Sequence, residues 1–128
     1  MALSATTNKR IVWAVRLLLA LAFGAAGTAK LAGAPMMIQI FEHIGIGQWF
    51  RYVTGLVEVA GAVLLLIPRT GFFGGLLLAV TMVCGVATHL LVIGGNPAPA
   101  VVLALLSAFV AYSLRSTNGE LVRAGERT

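Results

Sequence analysis

No Asp, Glu, Lys or Arg interrupts the chain between Phe72 and Ile93, and the segments Ile11–Leu31, Phe50–Ile67 and Ala98–Leu114 are nearly as apolar. The hydrocarbon core of a bilayer is roughly 30 Å thick, and a helix crosses it in about 20 residues. Inside lipid the backbone must satisfy its own hydrogen bonds, which leaves the helix as the form such runs can take. A water-soluble domain would have to hide stretches such as Val57–Ile67 and Leu76–Ile93 beneath a polar surface, yet only 10% of the residues are charged. The expected architecture is an all-α membrane protein, a bundle of four transmembrane helices with a short interfacial helix between spans one and two. With 128 residues, one transmembrane domain over residues 11–115 is expected, flanked by polar tails at 1–10 and 116–128.

The net charge of +5 would point a soluble protein toward nucleic acid. Here the basic residues stand at the ends of apolar runs, so they report topology, and no nucleic-acid partner is expected. Lys9, Arg10, Arg16, Arg69, Arg115, Arg123 and Arg127 fall on one side, and Lys30 and Arg51 on the other. This imbalance puts both termini in the cytoplasm. Trp13 and Tyr112 then belong to the inner aromatic belt, and Trp49 and Tyr52 to the outer one. A cleaved signal peptide competes for the first run, but Arg16 interrupts its apolar centre and Lys30 closes it as a membrane anchor would. Residues 1–8 are expected to fray.

Spacing at 100° per residue assigns faces. Arg16, Ala20, Phe23, Gly27 and Lys30 share one stripe of span one, and Arg51, Gly55, Glu58, Ala62 and Leu65 share one of span two. Gly75, Leu78, Met82, Gly85 and His89 line span three, and Ala100, Ala104, Ser107 and Ala111 line span four. Small residues let helices approach closely in lipid, so these stripes should face the bundle. Pro35 opens the interfacial helix, with Met37, Ile40, Phe41 and Ile44 on one side and Gln39, Glu42 and His43 off it. Gly45 and Gly47 break it, Arg69-Thr70-Gly71 is a turn, and Gly94–Pro99 is a sharp uncharged turn leading into span four.

Glu58 is the residue that most needs a partner. It lies about ten residues from Arg69, roughly 15 Å deep, where a central charge costs about 2.5–3.5 kcal/mol on insertion scales. Arg16 is its expected partner, with Lys30 and His89 nearer the outer boundary. The sharper reading is a polar track from Arg16 through Glu58 to Lys30 and His89, lining a small cavity that opens outward. The plainer one is an ion pair that locks helices one and two together. Glu42, His43, Trp49 and Arg51 complete the outward region where polar and aromatic groups converge. An amphipathic molecule with a polar head, such as a quinone or a lipid, suits that region. His89 has no second ligand at metal spacing, and the methionines read as core or interface. Cys84, the single cysteine, reads as an inert buried thiol.

Arg16-Leu-Leu, Phe23-(x)3-Gly27-(x)2-Lys30-Leu31, Gly55-(x)2-Glu58-(x)2-Gly61, Thr88-His89-Leu90 and Ala98-Pro99-Ala100 together resemble the DoxX-like family of small four-span membrane proteins. The resemblance covers about residues 12–115. It implies a compact four-helix bundle in a prokaryotic plasma membrane, serving as a membrane subunit or partner of a quinone-linked oxidoreductase or an oxidative-stress complex. It carries over no catalytic residue. A small proton-coupled transporter using Glu58 and a structural membrane partner are the alternatives, and homo-oligomers are compatible with both. Dimeric four-span multidrug exporters place their acid in the first span, where this chain has Arg16 and Lys30.

Overall fold

The computed structural model describes residues 4–127, helices joined by short connecting segments. Helix α1 spans Ala5–Ala32, and the side chain of Ser4 caps it by accepting a hydrogen bond from the Thr7 amide at 3.1 Å. The expected fraying therefore does not extend to Ser4 and beyond, because a Ser N-cap satisfies one of the free amides of the first turn; residues 1–3 lie outside the described residues. Gly33, at φ 74°, ends α1 in the left-handed conformation. Helix α2 (Pro35–Ile44) is the interfacial helix, and α3 (Trp49–Leu66) is the second span. A short 3-10 turn at Pro68–Thr70 leads into α4 (Gly71–Thr88), which runs on as a π-helical turn over His89–Ile93. Helix α5 (Ala98–Glu126) continues past Arg115 through the segment read as a polar tail. The segment 116–126 has no proline and only two glycines, Gly119 and Gly125, each costing only about 1 kcal/mol in a helix.

Around the bundle α1 packs on α3, α3 on α4 and α4 on α5, with α5 closing less extensively onto α1. The stripes read from spacing are the buried faces. Arg16, Ala20, Phe23 and Gly27 are buried on α1, and Arg51, Gly55, Glu58, Ala62 and Leu65 on α3. Leu19, Phe23, Ala62, Leu65, Leu78 and Val110 form the core. Lipid offers helices no hydrophobic reward for association, so close approach must supply the attraction. A Cβ on Gly27 would stand 2.8 Å from the carbonyl oxygen of Gly55, and one on Gly75 would stand 2.9 Å from both Ala111 N and Ser107 O. Any larger residue at these points would force the helices apart.

Arg16 does not pair with Glu58. Its Nε donates to the carbonyl of Leu65 at 2.7 Å and its Nη2 to that of Ile67 at 2.8 Å, while the guanidinium lies 3.8 Å from the centre of the Trp13 ring. The reason is Pro68. It stops α3 and turns the carbonyls of the last turn off the helix ladder at the level where Arg16 emerges from α1, Ile67 O also accepting from the Thr70 amide at 3.2 Å. The partly negative end of the helix supplies the field that a carboxylate would otherwise supply. Thr70 completes the arrangement by donating its hydroxyl to Leu64 O at 2.9 Å. Glu58, two turns earlier on α3, is about 10 Å away along the axis.

At the other end the relation is reversed. Arg51, at the start of α3, donates Nη1 to the carbonyl of Lys30 in the last turn of α1, and Nε to Gln48 Oε1 at 2.8 Å. Gln48 in turn donates to Ile38 O at 3.1 Å, fastening α2 to the same corner.

Replacing Arg16 should therefore damage the fold more than a missing surface charge would. Two hydrogen bonds from a charged donor, at about 1.5–3 kcal/mol each, are lost in Arg16→Ala. Arg16→Lys should retain part of the effect, because an ammonium can serve one carbonyl but not the fork. The check is thermal unfolding in nanodiscs, with the order wild type, Arg16→Lys, Arg16→Ala expected.

Candidate functional site

Helix α4, held closely at the Arg16 end, loses close contact toward the Lys30 end, where α1 and α3 still meet at Gly27 and Gly55. A Cβ on Gly74 would meet Leu65 N at 2.9 Å, whereas one on Gly85, near the other end of α4, would come no nearer than 3.9 Å to Ala100 Cβ. The space so opened is a cavity of about 300 Å³. Its walls are Ala22, Phe23 and Ala26 of α1, Thr54 and Glu58 of α3, Thr81–Met82, Cys84–Gly85 and Thr88–His89 at the α4 end, and Ala100 and Leu103 of α5. Met37, Ile40, Phe41 and Ile44 of α2 also line it. Phe41, the buried residue of that helix, stacks edge-on against Phe50 with ring centres 5.8 Å apart. The apolar side of the interfacial helix thus serves as the roof, which is why its hydrophobic residues recur at helical spacing.

The polar centre of the wall is an ion pair. Lys30 Nζ lies 3.0 Å from Glu58 Oε1 and 3.1 Å from Oε2. The Glu58 side chain is 3% exposed and that of Lys30 13%, so the lysine reaches back from its helix end to a buried acid. A long flexible stem makes this possible, since Lys can lay its methylenes along apolar surface while the ammonium seeks a charge. Both cations share the bundle-facing stripe of α1, but the carbonyls beyond Leu64 claim Arg16 and leave the acid to Lys30.

The other candidates fall in different places. His89 lines the cavity, its Nδ1 2.9 Å from Gly94 O. Glu42 and His43 are exposed on α2, beside a separate depression with Met36, Gln39 and Ile93. Trp49 is exposed and donates to Ile46 O at 2.7 Å. Arg51 is buried at the α1–α3 corner and does not line the cavity. Cys84, expected to be buried, is exposed and stands on the cavity wall, because α4 at that level has no close neighbour to cover it. Spacing also missed Thr54, Thr81 and Thr88, which line the cavity. Thr81 and Thr88 each stand one residue before a member of the His89 stripe, Met82 and His89, so a wider stripe would have included them. Among the described residues, no three His, Cys, Asp or Glu side chains gather as a metal site requires.

Removing one member of a buried pair leaves an uncompensated charge, at a cost of about 3–5 kcal/mol, whereas replacing both by apolar groups is often neutral. Lys30→Met should therefore destabilise strongly, Glu58→Leu less because the lysine can withdraw to the headgroups, and the double variant should recover most of the loss. A double-mutant cycle of unfolding temperatures measures this, and additive effects would mean that the pair is not coupled.

Comparison with curated proteins and with solved structures gave no match. The model of the DoxX-like family matches residues 14–112, a stretch holding Arg16, Lys30, Glu58 and His89 together with the cavity. With four helices long and apolar enough to cross a membrane, this chain is a multi-pass integral membrane protein of the DoxX-like family.

Proposed function

We propose that the protein is the membrane subunit or partner of a quinone-linked oxidoreductase or oxidative-stress complex in a prokaryotic plasma membrane, holding an amphipathic, polar-headed ligand beside Lys30 and Glu58. The observation that carries this reading is the cavity itself. It is apolar on most sides, at the lower end of the size range of ligand sites, and has one buried ion pair at its polar focus. A bundle built only for packing would fill this space with side chains, as the same helices do around Leu65 and Leu78. The sequence offers one cysteine and no nucleotide-binding loop, so electrons would come through a partner's centre. The competing transporter reading needs Glu58 to part from Lys30, 3.0 Å away, in every transport cycle.

The decisive experiment is purification from native membranes in mild detergent. Co-eluting redox proteins and bound quinone or lipid are expected. The purified chain alone should show neither thiosulfate oxidation with a quinone acceptor nor Glu58-dependent proton flux in liposomes. Robust thiosulfate turnover would make it an enzyme in its own right, and Glu58-dependent flux would make it a transporter.

The same reading places both termini and the Arg16 end in the cytoplasm, because seven basic residues lie at that end and Lys30 and Arg51 at the other. A reporter fused after Thr128 should be cytoplasmic and one inserted within residues 94–97 periplasmic. The reverse result would invert the cavity.

A further inference from the structure

The hydrogen-bonding groups around the cavity are unevenly matched. Thr54, Thr81 and Thr88 each spend their hydroxyl proton on their own helix, donating to Phe50 O at 2.9 Å, Leu77 O at 2.8 Å and Cys84 O at 2.8 Å. Each oxygen is left with lone pairs alone. His89 has Nδ1 2.9 Å from the carbonyl of Gly94. A carbonyl can only accept, so that nitrogen carries the proton, and in the neutral ring Nε2 is an acceptor. Glu58 is an acceptor at both oxygens. Lys30 has three protons and directs two at the Glu58 oxygens. The wall therefore presents several acceptors against one spare donor.

Charge constrains the occupant further. The pair is neutral as a unit. An anionic head would compete for Lys30 and set a second negative charge beside Glu58, leaving the buried acid short of compensation. A cationic head would be repelled by Lys30, with the Arg51 guanidinium bonded to the Lys30 carbonyl behind it. What the wall can satisfy without breaking the pair is an uncharged group that donates to the acceptors and accepts from the remaining Lys30 proton.

We propose that the cavity selects a neutral amphiphile whose head bears a hydroxyl donor, an alcohol or phenol on a hydrocarbon tail, over its charged or donor-less analogues. This rests on the reading of the cavity as a ligand site and specifies its ligand class. For a ligand that interconverts between dione and diol, the diol is the form held more tightly, since only it has protons for Glu58, Thr81, Thr88 and His89. A bound anionic phospholipid is excluded by the same argument.

The test keeps one tail and varies the head. Full-length protein in nanodiscs is given 1-decanol, 1-methoxydecane, decanoate at pH 8 or decyltrimethylammonium at equal membrane mole fraction, and occupancy is read by native mass spectrometry. Decanol should bind roughly tenfold better than the ether, the factor expected for about one hydrogen bond, and better still than either ion. Thr81→Val with Thr88→Val keeps the shape of both side chains and removes the two acceptors together with their donor bonds to Leu77 O and Cys84 O, carbonyls already within the helix ladder, so it should fold normally and narrow the decanol-to-ether ratio several-fold. An ether or decanoate that binds as well as decanol would overturn the head selection while leaving a ligand cavity in place. Failure of all four probes to bind would overturn the cavity reading as well.

Discussion

A helix that ends inside or at the edge of lipid leaves carbonyls that water cannot easily reach, and each must find a donor. The protein meets this need by exchange. The arginine in the first half of α1 serves the end of α3, and the arginine at the start of α3 serves the end of α1. The two helices run antiparallel, so each exchange lies at one end of the pair, and Gly27 against Gly55 lets the backbones meet between them. Register and rotation are fixed together, since a slip of one residue would carry both guanidinium groups off their carbonyls. Every other feature of the bundle is arranged on this pair.

Fixing α1 against α3 determines who neutralises Glu58. Once Arg16 is committed to Leu65 and Ile67, the acid faces a single available cation, and Lys30 must lean inward to reach it. Such a pair is poor evidence for stability in itself, because desolvation offsets most of the attraction. Its placement on the wall of an unfilled space is what gives it a functional meaning. The space follows from glycine placement. Gly71, Gly74 and Gly75 cluster at one end of α4 and draw it against α1, α3 and α5, while the opposite end has only Gly85, out of tight contact.

Much of this was legible in the chain. Four apolar runs and a proline-opened amphipathic segment specify the elements, and 4-3-4-3 spacing finds most of the buried residues of α1 and α3, leaving out Val12, Leu19 and Gly61. Periodicity gives direction around a helix and says nothing of which of two cations on one stripe takes a given acid. That choice depended on the carbonyls ahead of Pro68, a backbone demand visible in sequence only if helix ends are audited along with side chains. The π-helical turn at His89–Ile93 left no such trace, since its apolar residues suit an α-helix equally. The exposure of Cys84 depends on helix divergence, which is a property of two chains of contacts and not of one stripe.

The unbroken continuation of α5 has a mechanical consequence. At 1.5 Å per residue a helix from Ala98 to Glu126 is about 43 Å long, well beyond the roughly 30 Å of hydrocarbon. Its last turns, with Arg123 among them, form a stiff spoke and not a tether, and they hold whatever meets them at a set angle to the bundle. One residue inserted after Arg115 would swing that spoke's contact face by about 100°, whereas seven would return it to within about 20° of its starting phase and lengthen the reach by about 10 Å.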